Sequence, residues 1–286
     1  MGTLIATFVA SSSPCPLPGS NASTIATYHA IPDGLQNLTG NLSRLQKAYH
    51  ATGRIGFAQK GIPLGEDNSF GTGFLITPQQ VMTNRHVYES RKNELTGKNP
   101  SIGGIEFIAE KGSDKTDFIP FNGEPPIFVE NLDIAIFTLA HASKRPPLKL
   151  TKPDAPLHNR DIIVIGYPAP YPITKRVLSL VEKDPIFAVK RISKGKIFKY
   201  SSDNNEHCGL ETCVETTISS TGRISAISHN AATLAGNSGS PVLDAKSGAL
   251  LAVHFKGLHF LNPNDNANLA ITIENILKNS RNKKQA

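Results

Sequence analysis

The chain has 286 residues, 39% hydrophobic and 19% charged, which suits one large globular domain or two small ones. No apolar run approaches the roughly 18–20 residues that a helix needs to cross a bilayer, so no membrane span is expected. The net charge of +7 would favour acidic surfaces or nucleic acid. Its densest block, Lys278–Lys284, lacks interleaved aromatics, so it reads as a solvated tail and no nucleic-acid partner is expected.

Residues 1–32 are rich in Ser, Ala, Thr and Pro and lack periodicity. Leu4–Ala10 is a short apolar patch without the basic residues that precede a secretory signal core. A removable leader or extension is expected over 1–52. Leu35, Leu38, Leu42 and Leu45 recur at helical spacing and predict one short amphipathic helix, weakened by Gly40. From Arg54 onward the texture is β. Expected strand-like runs are Gly71–Pro78, Val81–Tyr88, Gly104–Ala109, Phe118–Phe121, Leu132–Leu139 and Asp161–Gly166. They continue with Ile186–Ile192, Gly195–Tyr200, Arg223–Ser228, Val242–Asp244 and Leu250–Phe255. Asn268–Ile273 reads as a last strand and Glu274–Asn279 as a short helix. Many short strands without long helices between them predict an all-β fold, a sandwich or barrel. The Pro-rich segment Arg145–Pro156 divides the strands into two groups.

The three cysteines are Cys15, Cys208 and Cys213. The last two are spaced for a small disulfide across a turn or remain free thiols. With His207 and His229 they match no familiar zinc spacing, and no metal or organic cofactor is expected.

One stretch carries the chemistry: Ala235–Leu243, A-G-N-S-G-S-P-V-L. Glycines on both sides of Ser238 permit a sharp turn that exposes its hydroxyl. The amides of Gly236 and Ser238 can then converge on a developing oxyanion. By itself such a cluster is also an ordinary turn. Two other residues change its meaning. His86 follows an apolar strand in T-N-R-H-V, and Asp133 is the single charge in L-D-I-A-I-F-T-L. A carboxylate there is costly unless paired. A serine hydroxyl needs an imidazole to take its proton, and an imidazole needs a carboxylate to fix its tautomer. His86 and Asp133 fall in the first group of strands and Ser238 in the second, as a site between two β-units requires.

With G-T-G-F-L-I-T, V-M-T-N-R-H-V, L-D-I-A-I-F and G-N-S-G-S-P-V-L in view, the chain resembles the chymotrypsin-like serine peptidases over residues 53–275. The chain order His, Asp, Ser agrees with that family. I-G-Y-P at 165–168 and A-N-L-A-I-T-I at 267–273 look like the V8-type glutamyl endopeptidases. HtrA-like peptidases share the core, but the stretch after 275 is shorter than a PDZ domain. The resemblance implies two six-stranded antiparallel β-barrels, over 53–148 and 157–275, with a basic tail over 276–286. It also implies catalysis by His86, Asp133 and Ser238, with an oxyanion hole at Gly236 and Ser238. In the V8 branch a hydroxyl before the nucleophile and a histidine after it bind a substrate carboxylate, positions held here by Thr233 and His254. Cleavage after Glu, or Asp, is therefore expected. Gln or a broad preference is the alternative, and a non-catalytic binding module on the same fold is the rival from another class. His229 and Lys256 are further candidates for the pocket's surroundings.

Asn237 stands where trypsin-like enzymes carry an aspartate, so trypsin-style activation is not expected. The V8 type instead uses its mature N-terminus, for which no processing site is evident over 1–55. The segment Ser201–Thr221 reads as a loop beside the pocket. A protein or peptide substrate, a monomer and export are the remaining expectations.

Overall fold

The computed structural model describes residues 15–16, 42–59, 62–96, 101–109, 115–154, 156–171, 187–201, 226–258 and 267–282. The leader apart from Cys15–Pro16, the loop over 202–225 with Cys208 and Cys213, and the last four residues of the tail lie outside them.

Fourteen strands and four short helices are found among the described residues. In chain order they begin with β1 (Cys15–Pro16), α1 (Leu42–Ala51), β2 (Thr52–Gln59), β3 (Ser69–Thr77) and β4 (Gln80–Thr83). Next come α2 (Arg85–Ser90), α3 (Lys92–Leu95), β5 (Ser101–Glu106), β6 (Phe118–Pro120), β7 (Ile127–Phe128) and β8 (Ala135–Thr138). The second half holds β9 (Asp161–Gly166), β10 (Arg191–Ser201), β11 (Ala226–His229), β12 (Pro241–Asp244), β13 (Leu250–Leu258), β14 (Ala267–Thr272) and α4 (Ile273–Asn282).

Every pairing is antiparallel, and the strands form two sheets. In the second, β10-β11-β14-β13-β12-β9 closes on itself through the β9–β10 ladder, a six-stranded barrel with β1 added at β10. Closure leaves no free edge. The first sheet runs β6-β5-β2-β3-β4-β8-β7, and an isolated bridge, Phe121 to Leu139, links the residue after β6 to the residue after β8. The all-β expectation stands, with seven strands rather than six in this first sheet.

Alternation explains how the two halves pack. Along β9, Ile162 and Val164 join a cluster with Ile197, Val242 and Leu251 inside the second half. Ile163 and Ile165 point the other way, into a larger cluster shared with Ile55, Phe74, Val81 and Phe137 of the first sheet. A strand buried on both faces needs such an unbroken apolar run. Polar groups are satisfied across the junction too. Lys190 is buried and donates from Nζ to the carbonyls of Tyr49 (2.7 Å) and Phe107 (2.9 Å), over the Tyr49 ring.

Several local expectations need correction. The run Val81–Tyr88 is not one strand: β4 ends at Thr83, extended Asn84 caps α2, and Val87 and Tyr88 turn inward from that helix. The run Leu132–Leu139 becomes a strand only at Ala135, which leaves Asp133 in the preceding turn. Of the described residues in the expected run Ile186–Ile192 only Arg191 and Ile192 are strand, and they share one strand, β10, with all of Gly195–Tyr200. Strand β2 has no counterpart among the expected runs. Its two glycines lower strand propensity, yet each is required by packing. A Cβ at Gly53 would press on Ile105, and one at Gly56 would overlap the Asn68 carbonyl and Leu64.

Candidate active site

The first sheet supplies a clasped imidazole. His86 lies in the first turn of α2, just past the β4 strand end. Its backbone N–H donates to Asp133 Oδ1 (2.9 Å), and its ring Nδ1 lies 2.6 Å from Oδ2. One carboxylate thus holds both the main chain and the ring. Asn84 steadies the same turn by donating from Nδ2 to the Asp133 carbonyl (2.9 Å). Asp133 is 13% exposed and the His86 side chain 46%, so the ring reaches from a protected anchor toward solvent. With Nδ1–H bound to the carboxylate, Nε2 is the basic nitrogen.

The second half supplies the serine turn. Gly236 and Gly239 flank Asn237-Ser238 with φ of 96° and 90°, a region that glycine enters without strain. Both also sit where no Cβ fits. At Gly236 it would overlap the Ala169 amide and the Tyr167 carbonyl, and at Gly239 the Thr72 carbonyl and the Thr83 hydroxyl. Asn237 braces the turn by donating from its backbone N–H and from Nδ2 to Leu234 O, both 3.0 Å. The amides of Gly236 and Ser238 meet no acceptor among the described residues. Such donors suit an incoming oxyanion.

Thr72 joins the two halves. Its amide donates to Ser238 O (2.9 Å) and its hydroxyl to Gly236 O (2.8 Å). The same hydroxyl accepts from Tyr167 N (3.0 Å), while Thr83 donates to the Thr72 carbonyl (2.7 Å). Sequence reasoning passed over Thr72. Its only signal is a hydroxyl between two glycines in the strand before the histidine.

A buried histidine pair lies beside the serine turn. His254, on β13, exchanges backbone bonds with the turn: Gly239 N donates to His254 O and His254 N to Ser240 O, each 2.9 Å. Strand β14 separates β13 from β11, with His254 opposite Ala270 and His229 opposite Asn268. The two rings meet edge-to-face at 5.5 Å. His254 is 3% exposed and Thr233 5%. Burial lowers His229 to about 3 from the ordinary 6.5. Burial, then His229, then His86 push His254 well below that value. Both imidazoles are therefore neutral at pH 7. Among the described residues, neither nitrogen of His229, nor Nδ1 of His254, has a hydrogen-bond partner. Thr233 lies in the segment between β11 and the serine turn, and Asn268 ties that segment down by donating from Nδ2 to Ala231 O (2.8 Å). Lys256 lies on β13 beyond an irregularity in its pairing.

Nucleophilic acyl transfer is the chemistry this layout serves in proteins built from two such β-units, the chymotrypsin-like serine peptidases. Sequence comparison is more specific. Residues 71–253 match the trypsin-like peptidase domain, and the chain belongs to that family. Serine protease Rv3671c of Mycobacterium tuberculosis (strain ATCC 25618 / H37Rv) is 31% identical over 98 residues, 34% of this chain and 20% of that protein. Serine protease MT3772 of strain CDC 1551 / Oshkosh matches with the same figures, so the match spans a fifth of the length of these curated relatives. The solved active form of Rv3671c overlays with a TM-score of 0.52 at 17% identity, covering 88% of this chain and 86% of that one. The HtrA-type protease AlgW, solved with a decapeptide, gives 0.51 at 14% identity over 82% of this chain and 64% of that one. At these identities the overlays speak for the fold alone.

Proposed function

We propose that the chain is a serine endopeptidase that cleaves after glutamate. The observation that carries the reading is the two-point clasp of His86 by Asp133, tied through Thr72 and Thr83 to the Ser238 turn. Ser238 Oγ attacks the peptide carbonyl carbon while His86 Nε2 takes its proton. Asp133 keeps the proton on Nδ1 and stabilises the imidazolium. The amides of Gly236 and Ser238 hold the oxyanion. His86 then gives its proton to the departing amine, and a water activated by the same ring releases the acyl group.

The preference for glutamate draws support from Thr233 and His254, a buried hydroxyl and imidazole beside the turn. Both can donate to a side-chain oxygen. A carboxylate entering this site would raise the proton affinity of His254, so that a charge-assisted bond forms on binding. Glutamine is the second reading, favoured by the neutral state of His254, which serves an amide oxygen without taking up a proton.

The test compares the protein with Ser238→Ala on unstructured polypeptides bearing Glu, Gln, Asp or Lys. A fluorophosphonate should label Ser238, and cleavage should follow Glu. Absence of both labelling and serine-dependent cleavage overturns the peptidase reading. Cleavage after Lys or aromatic residues overturns the acidic pocket alone.

A further inference from the structure

A cleft of about 260 Å³ is built from segments that adjoin the hydrogen-bond partners of the serine turn. Its walls include Phe57, Phe70, Arg91, Pro170 and Tyr171, with Asp67 at the rim. None comes from β11, β13 or β14, the strands around the histidine pair. Each wall continues a segment that holds the site. Phe70 leads into Thr72, the residue bonded to both Gly236 and Ser238. Arg91 caps the C-terminal end of α2, whose first turn bears His86. Pro170 and Tyr171 follow Ala169, whose amide donates to Ala235 O (2.9 Å) next to Gly236.

Direction follows from the chemistry. The acyl-side residue occupies the pocket at Thr233 and His254. His86 must hand its proton to the leaving amine, so the chain beyond the scissile bond departs past the His86 helix. The cleft takes its Arg91 wall from the C-terminal end of that helix. We infer that this cleft binds a neutral aromatic or large aliphatic side chain on the leaving-group side of the scissile bond. The inference rests on the peptidase reading.

The surface fits such an occupant. Phe57 and Phe70 pack at 6.2 Å between centroids, the Arg91 guanidinium lies 5.8 Å from the Phe70 ring centre, and Tyr171 is 40% exposed. Rings and a stacked guanidinium receive an aromatic side chain well. Charge is nearly balanced, since Arg91 pairs with Glu94 at 3.7 Å and Asp67 lines the same cleft. A neutral side chain thus leaves no ion stranded, whereas a charged one meets a like charge.

The experiment uses internally quenched peptides with one fixed acyl-side residue, the best accepted, and Phe, Leu, Gly, Lys or Asp at each of the three following positions. A blocked methyl ester of the same acyl residue, whose leaving group is only methanol, serves as reference. At one of the three positions Phe and Leu should exceed Gly, Lys and Asp in kcat/KM by about three- to tenfold. In Tyr171→Ala and Arg91→Ala the ratio of Phe-peptide to ester activity should fall by a similar factor. Equal rates for all leaving-side residues, or equal loss on peptide and ester, overturn the inference while the peptidase reading survives. No cleavage and no labelling of Ser238 overturn both.

Discussion

The Thr72 hydroxyl donates to the Gly236 carbonyl at 2.8 Å, across the junction of the two halves of the molecule. This bond sets the peptide that precedes the serine turn, and so the direction in which the neighbouring amides point. The hydroxyl also accepts from Tyr167 N at 3.0 Å, and Thr72 is fully buried. Thr72→Val keeps the shape and removes both bonds. The stranded carbonyl and amide should cost roughly 1–3 kcal/mol of stability in urea denaturation. The misaligned turn should lower kcat by about tenfold or more with little change in KM, as expected when an interaction made only in the transition state is lost.

Asp133→Asn should leave the fold intact, because the residue sits in a turn and is partly exposed. The amide favours the wrong tautomer of His86 and gives no charge to offset the imidazolium. A fall in kcat of about 10⁴-fold is expected on the serine-peptidase template, measured beside an unchanged melting curve.

Acid should weaken the folded state through the histidine pair. Burial holds His229 down to about 3 and keeps His254 well below its ordinary value. Below pH 6.5 the unfolded chain binds protons at these positions and the folded chain does not. Stability therefore falls as pH drops from 6.5 toward 3, by up to about 1.4 kcal/mol per unit for each imidazole. Above pH 6.5 the two contribute no slope. Urea denaturation at pH 7.5, 6 and 5 measures this, and His229→Phe should show a shallower decline.

Substrate choice should carry the opposite pH signature. A glutamate in the pocket raises the proton affinity of His254, so binding takes up a proton, whereas glutamine does not. The ratio of kcat/KM for Glu over Gln peptides should rise as pH falls from 8 to 6, by at most tenfold per unit. Every step common to the two peptides cancels in the ratio. A flat ratio would favour the glutamine reading.

Much of the site is legible in the sequence because its chemistry demands rare residue types in small-residue surroundings. A lone aspartate beside an apolar strand needs a partner, and His86 provides it at two atoms. The edge-to-face contact of His229 with His254 is not legible. It depends on the register by which β14, later in the chain, inserts between β11 and β13. Thr72 is hidden for a similar reason, since its partners come from the other half of the molecule. The expected strand through His86 fails because apolar spacing over a few residues fits a strand end followed by one helical turn.

The sequence alone determines the all-β texture, the division into two groups of strands, and the residue types that an acyl-transfer site requires. These are local matters of alternation, turn chemistry and charge placed among apolar neighbours. Tertiary structure decides that the second half closes into a barrel while in the first sheet β6 and β8 are linked at one bridge. It alone decides that Thr72 clamps the Ser238 turn and that two buried histidines meet beside it. Those relations depend on which strands pair, and pairing is settled by the packing of the whole core rather than by any single stretch of chain.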